Sequence, residues 1–419
     1  MIQATRLDNG VRIVTERMPH VRSASVGVWI ETGSRHEPAA LNGISHFIEH
    51  AIFKGTSRRT AKEIAIEGDR QGGNLNASTG QETTCVYTRV LDEQLGQAID
   101  LIADMLTDPA FLVDEIERER QVILEEIKMV EDTPDELIHD IFAEHFWPDH
   151  AFGRPVAGTL DTVASLRRDD LVDYHAGRYR ADGMIVAAAG NLDHEAVVAA
   201  FAPALGRLAQ HQVAADLTAP RTAPAFVLRS KPELEQAHLV LGTPCPVVTS
   251  PDRYAANLMS AILGDGMSSR LFQRIREERG LVYGIYSSVD AFLDTGVHAI
   301  GAGASPENLP EVVELIMEEV GAIKRDGPTE DELRFAKEQY KVATVLSLES
   351  TFNRMSRLAR HEMVFGRQIP VDEVLKAIDA VTCDDVTRVA NDIFHADAFA
   401  LAALGDIEGI DLDRQMLAC

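Results

Sequence analysis

The same succession of elements can be read twice along this chain, and that constrains its fold more than any single motif. In the first half a strand-like run, Thr83–Val90, leads into helix-spaced apolar residues from Leu95 to Leu106. A Thr107-Asp108-Pro109 break follows, then a longer helical stretch from about Asp114 to Val130. In the second half Gly296–Gly301 leads into Leu309–Ile323, then Asp326-Gly327-Pro328, then Glu330–Leu346. Apolar recurrence at i, i+3 and i+4 marks the helices, and the proline breaks end the shorter one each time. A further alternating strand, Ser23–Ile30, has Ala237–Gly242 as its counterpart. Between the halves, from Leu208 to Pro224, no period survives and the tract ends in Pro220 and Pro224, which suits a linker. A chain of 419 residues is also too long for one ordinary core. The expectation is an α+β protein of two homologous halves, residues 1–210 and 225–419, joined by a linker at 211–224.

Composition removes several classes. Hydrophobic content of 45% with 25% charged residues is that of a soluble globular chain. No run approaches the length of about 20 apolar residues needed to cross a bilayer. The N-terminal residues Met1–Asp8 lack a basic and then apolar leader, so a cytoplasmic location is the default expectation. Cys85, Cys245, Cys383 and Cys419 are scattered without a C-x-x-C pair, which argues against a disulfide framework or a thiolate metal site. A net charge of −26 disfavours nucleic acid as a partner. An acidic field attracts cationic peptides, although a generally acidic surface without a partner fits equally well.

The chemistry concentrates at His46-Phe47-Ile48-Glu49-His50. On a helix His46, Glu49 and His50 fall within about a third of the circumference. Ile44, Phe47, Ile48, Ala51 and Ile52 then face a core. Two imidazoles one turn apart are a common zinc-binding pair, and this order is the inverted zincin motif. The alternative is three solvated polar residues on a helix. A catalytic zinc site usually keeps three protein ligands, so a third should lie in the same half. On the helix Asp114–Val130, projection places Glu119 and Glu126 within the apolar arc Ile116, Val122, Ile123, Ile127, Met129 and Val130. Glu117, Glu125 and Lys128 point away. Carboxylates on a buried face need a cation. A metal supplies one; arginine partners, or a helix misphased by one position, are the alternatives.

Here the chain resembles a known family. Gly43–Thr56, with His46, Glu49 and His50, is similar to the zinc-site helix of the pitrilysin/insulinase-type metallopeptidases, closest to the branch of mitochondrial processing peptidase and its bacterial relatives. Glu117–Glu126 resembles that family's second motif, and the likeness extends through Gly72–Thr79 and Gly153–Gly158 over essentially the whole chain. The resemblance implies that His46, His50 and Glu126 hold one Zn²⁺ per chain, with Glu49 as general base and Glu119 as supporting carboxylate. It implies two α/β-roll halves, each a mixed β-sheet packed with helices, enclosing a peptide chamber. It also implies that Asn76, Ala77 and Ser78 form an edge that pairs with extended substrate. For Asn74 and Asn76, turn chemistry after Gly72-Gly73 is the competing reading.

The second half has no H-x-x-E-H; aligning Asp331 with Asp114 puts Ala336 and Ala343 where Glu119 and Glu126 stand. It does carry Arg276–Tyr283, which resembles the Arg and Tyr pair of the family's non-catalytic half, whose side chains reach the substrate. The plain alternative is Tyr283 in the core and Arg276 a solvated charge. Gly264–Arg270 lacks the phosphate-loop pattern and reads as a loop between helices. The resemblance thus implies a zinc endopeptidase for extended, unstructured peptides, among them basic, presequence-like ones, with no nucleic-acid or membrane partner, acting as a homodimer. The competing classes are a non-catalytic core or regulatory subunit of the same fold, and a scavenger whose zinc is structural.

Overall fold

A computed structural model describes residues 1–210 and 218–418. The chain begins β1 (Ile2–Arg6), β2 (Arg12–Arg17), β3 (Ser23–Ile30), α1 (Ile44–Ala51), α2 (Ala61–Arg70), β4 (Asn76–Thr79) and β5 (Thr84–Leu91). Next come α3 (Leu95–Thr107), α4 (Val113–Glu131), α5 (Pro134–Phe146), α6 (Leu160–Ser165), α7 (Arg168–Arg178), β6 (Met184–Gly190) and α8 (His194–Leu205). It continues β7 (Phe226–Ser230), β8 (Ala237–Pro244), α9 (Arg253–Gly264), β9 (Val282–Ala291), β10 (Gly296–Ala304), α10 (Leu309–Asp326) and α11 (Glu330–Ser347). The last elements are α12 (Thr351–Phe365), α13 (Val371–Ala380), α14 (Cys383–Ile393) and β11 (Ala400–Gly405).

The duplication read from the sequence is present in the sheets. The first has the order β1-β2-β6-β3-β5-β4 and the second β7-β11-β8-β10-β9. In each, one pair is parallel, β2 with β6 and β7 with β11, while the strands beyond it pair antiparallel. Removing β1 makes the two orders identical strand for strand. The helices repeat as well, with α3 and α4 answering to α10 and α11. The fold is therefore two homologous α/β rolls, each a mixed sheet packed with helices.

The compact units do not follow a single cut. One comprises Met1–Met129, Arg154–Leu217 and Val345–Gln368; the other comprises Val130–Gly153, Thr218–Thr344 and Ile369–Cys419. Thus α5 belongs with the second sheet and its sequence counterpart α12 with the first. Of the expected linker, residues 211–217 lie outside the described residues, and 218–224 form no helix or strand.

Each sheet has two covered faces, which explains why its central strands read as nearly continuous apolar runs. On β3, Val26, Val28 and Ile30 pack into a core with Phe47 and Ile48 of α1, Ile102 of α3 and Ile123 of α4. From the opposite face, Trp29 packs with Ile185 of β6 and with Met355 and Leu358 of α12. Ser25 meets Thr351 there, hydroxyl to hydroxyl at 2.9 Å. In the second unit, Leu239 and Leu241 of β8 face Leu263 of α9 and Ile316 of α10. On the other side Val240 meets Ile138 and Phe142 of α5. Each such side chain, fully buried, contributes about 1.5–3 kcal/mol.

Helix α4 corrects the expected apolar arc. Ile116, Ile123 and Ile127 are buried, but Val122 and Met129 are 44% and 60% exposed. The buried stripe is narrower than the sequence suggested, and Glu119 lies on it. Glu117, Glu125 and Lys128 are exposed, as the projection requires.

Candidate metal centre

Helix α1 is short and amphipathic, with Ile44, Phe47, Ile48 and Ala51 sunk in the first core. That packing turns His46, Glu49 and His50 to the opposite side, half-buried. The two rings meet α4, whose Glu126 stands two turns from buried Glu119. Glu126 Oε2 lies 3.9 Å from His46 Nε2 and 3.5 Å from His50 Nε2. His46, His50 and Glu126 each offer one donor atom, all within 4.8 Å of one another. This is the one such group of three or more among the described residues.

The donor set fits Zn²⁺. Bonds of about 2.0–2.1 Å in a tetrahedral shell put neighbouring donors about 3.3 Å apart. The two separations from Glu126 need only a small contraction. Burial, and secondarily the charge of His50, pushes His46 down to about 4, so its imidazole is neutral and ligand-competent at neutral pH. His50 Nδ1 lies 3.2 Å from Glu119 Oε2. A proton on Nδ1, donated to Glu119, leaves the Nε2 lone pair free, which is the usual role of a carboxylate behind a ligating histidine.

Glu119 is neutralised by Lys54, whose Nζ lies 2.7 Å from Oε1. Among the described residues no arginine pairs with Glu119; Arg120 pairs with Glu117. Glu49 Oε2 is buried without a hydrogen-bond partner. Burial raises the Glu49 pKa, Glu126 adds to this, and Thr79 and His50 oppose it. A carboxyl whose pKa burial raises, set beside these donor atoms, is suited to taking up and returning a proton.

Strand β4 is the free edge of the first sheet, paired only with β5. Asn76 and Ser78 are exposed and Ala77 is buried, and the Ala77 N–H donates to Asn76 Oδ1 at 2.9 Å. Asn74 lies outside the strand and donates to Gly72 O at 2.7 Å, the turn chemistry anticipated as its alternative. A cavity of about 450 Å³ opens beside the site, lined in part by Glu49, His50, Phe53, Ile64, Leu75 and Asn76.

Arg276 and Tyr283 belong to the second unit. Tyr283 is 83% exposed, which excludes the core reading for it. The Arg276 guanidinium sits 4.6 Å from the Phe272 ring and 5.8 Å from that of Tyr283. Ala336 is buried, as a metal-free counterpart of Glu119 can be. Gly264–Arg270 spans the end of α9 and the turn after it, not a phosphate loop.

Three positions escaped the sequence reading: Lys54, Thr79 and Glu37. Lys54 stands four residues beyond His50, a spacing that could have flagged it. Glu37 is 4% exposed, and its carboxylate accepts from Gly43 N–H, Ser45 N–H and Asn42 Nδ2. Nothing in its local sequence announces that role.

Residues 12–160 match the model of the insulinase family, peptidase family M16, and residues 165–340 match the peptidase M16 inactive domain. An uncharacterized zinc protease of Streptomyces coelicolor is 42% identical over 399 residues, spanning 94% of this chain and 87% of that protein. The uncharacterized zinc protease YmxG of Bacillus subtilis is 41% identical, spanning 96% and 98%. Among solved structures, a protease from Helicobacter pylori superposes with a TM-score of 0.89 at 23% identity, covering 96% and 99% of the two chains. A chain of complex III₂ from Candida albicans gives 0.87 at 22%, covering all of both. Both structural likenesses concern the fold alone. Matches of this extent and identity leave one assignment: the chain belongs to the insulinase family of peptidases, M16.

Proposed function

We propose that this protein is a zinc-dependent endopeptidase acting on extended, unstructured peptides. The observation that carries the reading is the convergence of His46, His50 and Glu126 with an unpartnered, buried Glu49 oxygen beside them. These three residues would hold one Zn²⁺ per chain. When bound, the metal makes water more acidic and polarises a carbonyl oxygen. Glu49 accepts the proton released as water attacks the scissile carbonyl and returns it to the leaving nitrogen. Glu119, fixed by Lys54, holds the His50 ring in the ligand tautomer. The free edge of β4 at Asn76, Ala77 and Ser78 offers backbone to a substrate strand. The adjoining cavity, with Phe53, Ile64 and Leu75, suits an apolar side chain. Arg276 and Tyr283 would serve the oxyanion or the substrate backbone, as charge and hydroxyl groups can.

The net charge of −26 favours basic peptides, and a cytoplasmic homodimer belongs to the same reading. Among the described residues no helix is long and apolar enough to cross a membrane. A sedimentation run giving only monomer would remove the dimer.

The competing reading is a non-catalytic subunit of the same fold. The inactive-domain match covers residues 165–340, whereas the triad and Glu49 fall within 12–160. That placement favours an enzyme whose second half has lost its metal residues. Incubation with a basic, presequence-like peptide and mass spectrometry of the products tests this. Discrete cuts that vanish with a chelator and return with Zn²⁺ support the proposal; bound zinc without cuts on any flexible peptide would favour the non-catalytic subunit.

A further inference from the structure

The metal helix begins without a local cap. Its N-cap is Gly43 at φ +92°, which has no side chain to satisfy the first-turn N–H groups. An ordinary helix takes a Ser, Thr, Asp or Asn at this place. Gly43 is required by the space: a Cβ there would lie 2.6 Å from Ala157 O. A Cβ on Gly158 would equally lie 2.6 Å from Asn42 O. Two backbones therefore touch where α1 starts, and the Gly153–Gly158 segment is one of them.

The cap comes from outside the helix. Both Glu37 oxygens are engaged, one by Gly43 N–H at 2.8 Å and Asn42 Nδ2 at 3.1 Å, the other by Ser45 N–H at 2.8 Å. Arg154 Nη2 donates to the Glu37 carbonyl at 2.7 Å, and Asn42 Nδ2 also donates to Pro155 O at 3.0 Å. Beneath the first turn, Ser45 Oγ donates to Tyr174 OH at 3.2 Å. A carboxylate at a helix N-terminus also complements the helix dipole. Ser45 is the residue before His46, so whatever fixes its N–H fixes where the first imidazole projects.

We propose that Glu37 is a positioning residue of the metal centre, capping α1 from outside and, together with Arg154, setting the helix so that His46 and His50 meet Glu126. This rests on the metal-site reading above. In a helix of only eight residues, rotation at one end moves both histidines. Glu37→Gln keeps the shape but turns an amide NH₂ toward one of the backbone donors. Glu37→Ala removes the cap altogether.

The test uses full-length wild type, both variants, and Arg154→Lys, which keeps charge but loses the planar fork. Zinc affinity is read by competition with a chromophoric chelator, and ligand geometry by the visible spectrum of the Co²⁺-substituted proteins. Circular dichroism checks that each is folded. The expected result is folded proteins in which Zn²⁺ binding weakens about tenfold or more for Glu37→Ala, on the scale of lost groups behind a metal ligand. Glu37→Gln should fall between it and wild type, with a shifted Co²⁺ spectrum and kcat lowered more than KM. Should Glu37→Ala fail to fold, Glu37→Gln and Arg154→Lys report the same quantities. Affinities and spectra identical to a zinc-binding wild type would overturn the inference and leave the metal site intact. A wild type that binds no metal would overturn both.

Discussion

At the scale of single residues, what separates this site from a polar patch is the partner each group has. His50 is held from behind by Glu119, Glu119 is balanced by Lys54, and Glu49 is left with a buried oxygen unengaged. The account predicts that Glu49→Gln binds Zn²⁺ as wild type does while turnover falls by about 10²–10⁴-fold. Metal analysis and peptide turnover on the same sample check it, and near-normal turnover would remove Glu49 from its role. The H-x-x-E-H pattern was legible because His46 and His50 are neighbours on one helix face, a relation that sequence spacing encodes directly. Glu119 and Glu126 were legible from helical phase once α4 was drawn. Glu37 was not, because its partners lie across a turn with no period, and Arg154 reaches it from 117 positions away.

At the scale of elements, helix α4 shows how far periodicity carries. Periodicity places Ile116, Ile123, Ile127 and Glu119 on the buried face, where they lie, but Glu126 is only half-buried and Val122 and Met129 are exposed. Hydrophobicity alone does not separate a core position from a surface one at the margin of an arc, since many apolar side chains remain exposed in folded proteins. The two classes should behave differently in a stability measurement. Ile123→Ala, at a fully buried position, is expected to cost about 2–5 kcal/mol. Val122→Ala should change stability by less than about 0.5 kcal/mol, apart from a small helix-propensity gain. Urea unfolding of the two variants reads this, and comparable losses would mean that the helix is rotated from the phase described. The membership of α5 and α12 was not legible at all. Both are amphipathic helices following α4 and α11, and nothing local tells which sheet each will cover.

At the scale of the molecule, the duplication visible as repeated strand, helix, break and helix became two sheets of matching order, β1 aside. Each unit also holds a histidine kept neutral by its surroundings, His175 half-buried and His298 buried. His175 in the first, bonded to Leu106 O at 3.0 Å, and His298 in the second, against Ser287 Oγ at 2.8 Å, are both pushed down to about 4 by burial. An unfolded histidine titrates near 6.5. Between those values the unfolded chain binds protons that the folded chain does not, so stability present above about pH 6.5 is lost as pH falls toward 4. Asp140, pushed up to about 6 by burial, has the opposite sign. The histidine contribution is therefore read from the difference between wild type and His298→Gln. That difference in urea midpoint should shrink as pH falls from 7 to 5; a constant difference would contradict a neutral, buried His298.

The central claim is that His46, His50 and Glu126 hold a catalytic zinc served by Glu49. It is tested most directly by titrating Zn²⁺ into chelator-stripped protein while following hydrolysis of a flexible basic peptide. The account predicts activity that rises linearly and breaks at one equivalent per chain, and a Glu49→Gln protein that takes up the same equivalent in silence. Hydrolysis that persists in stripped protein, or zinc uptake undiminished by His50→Ala, would contradict it.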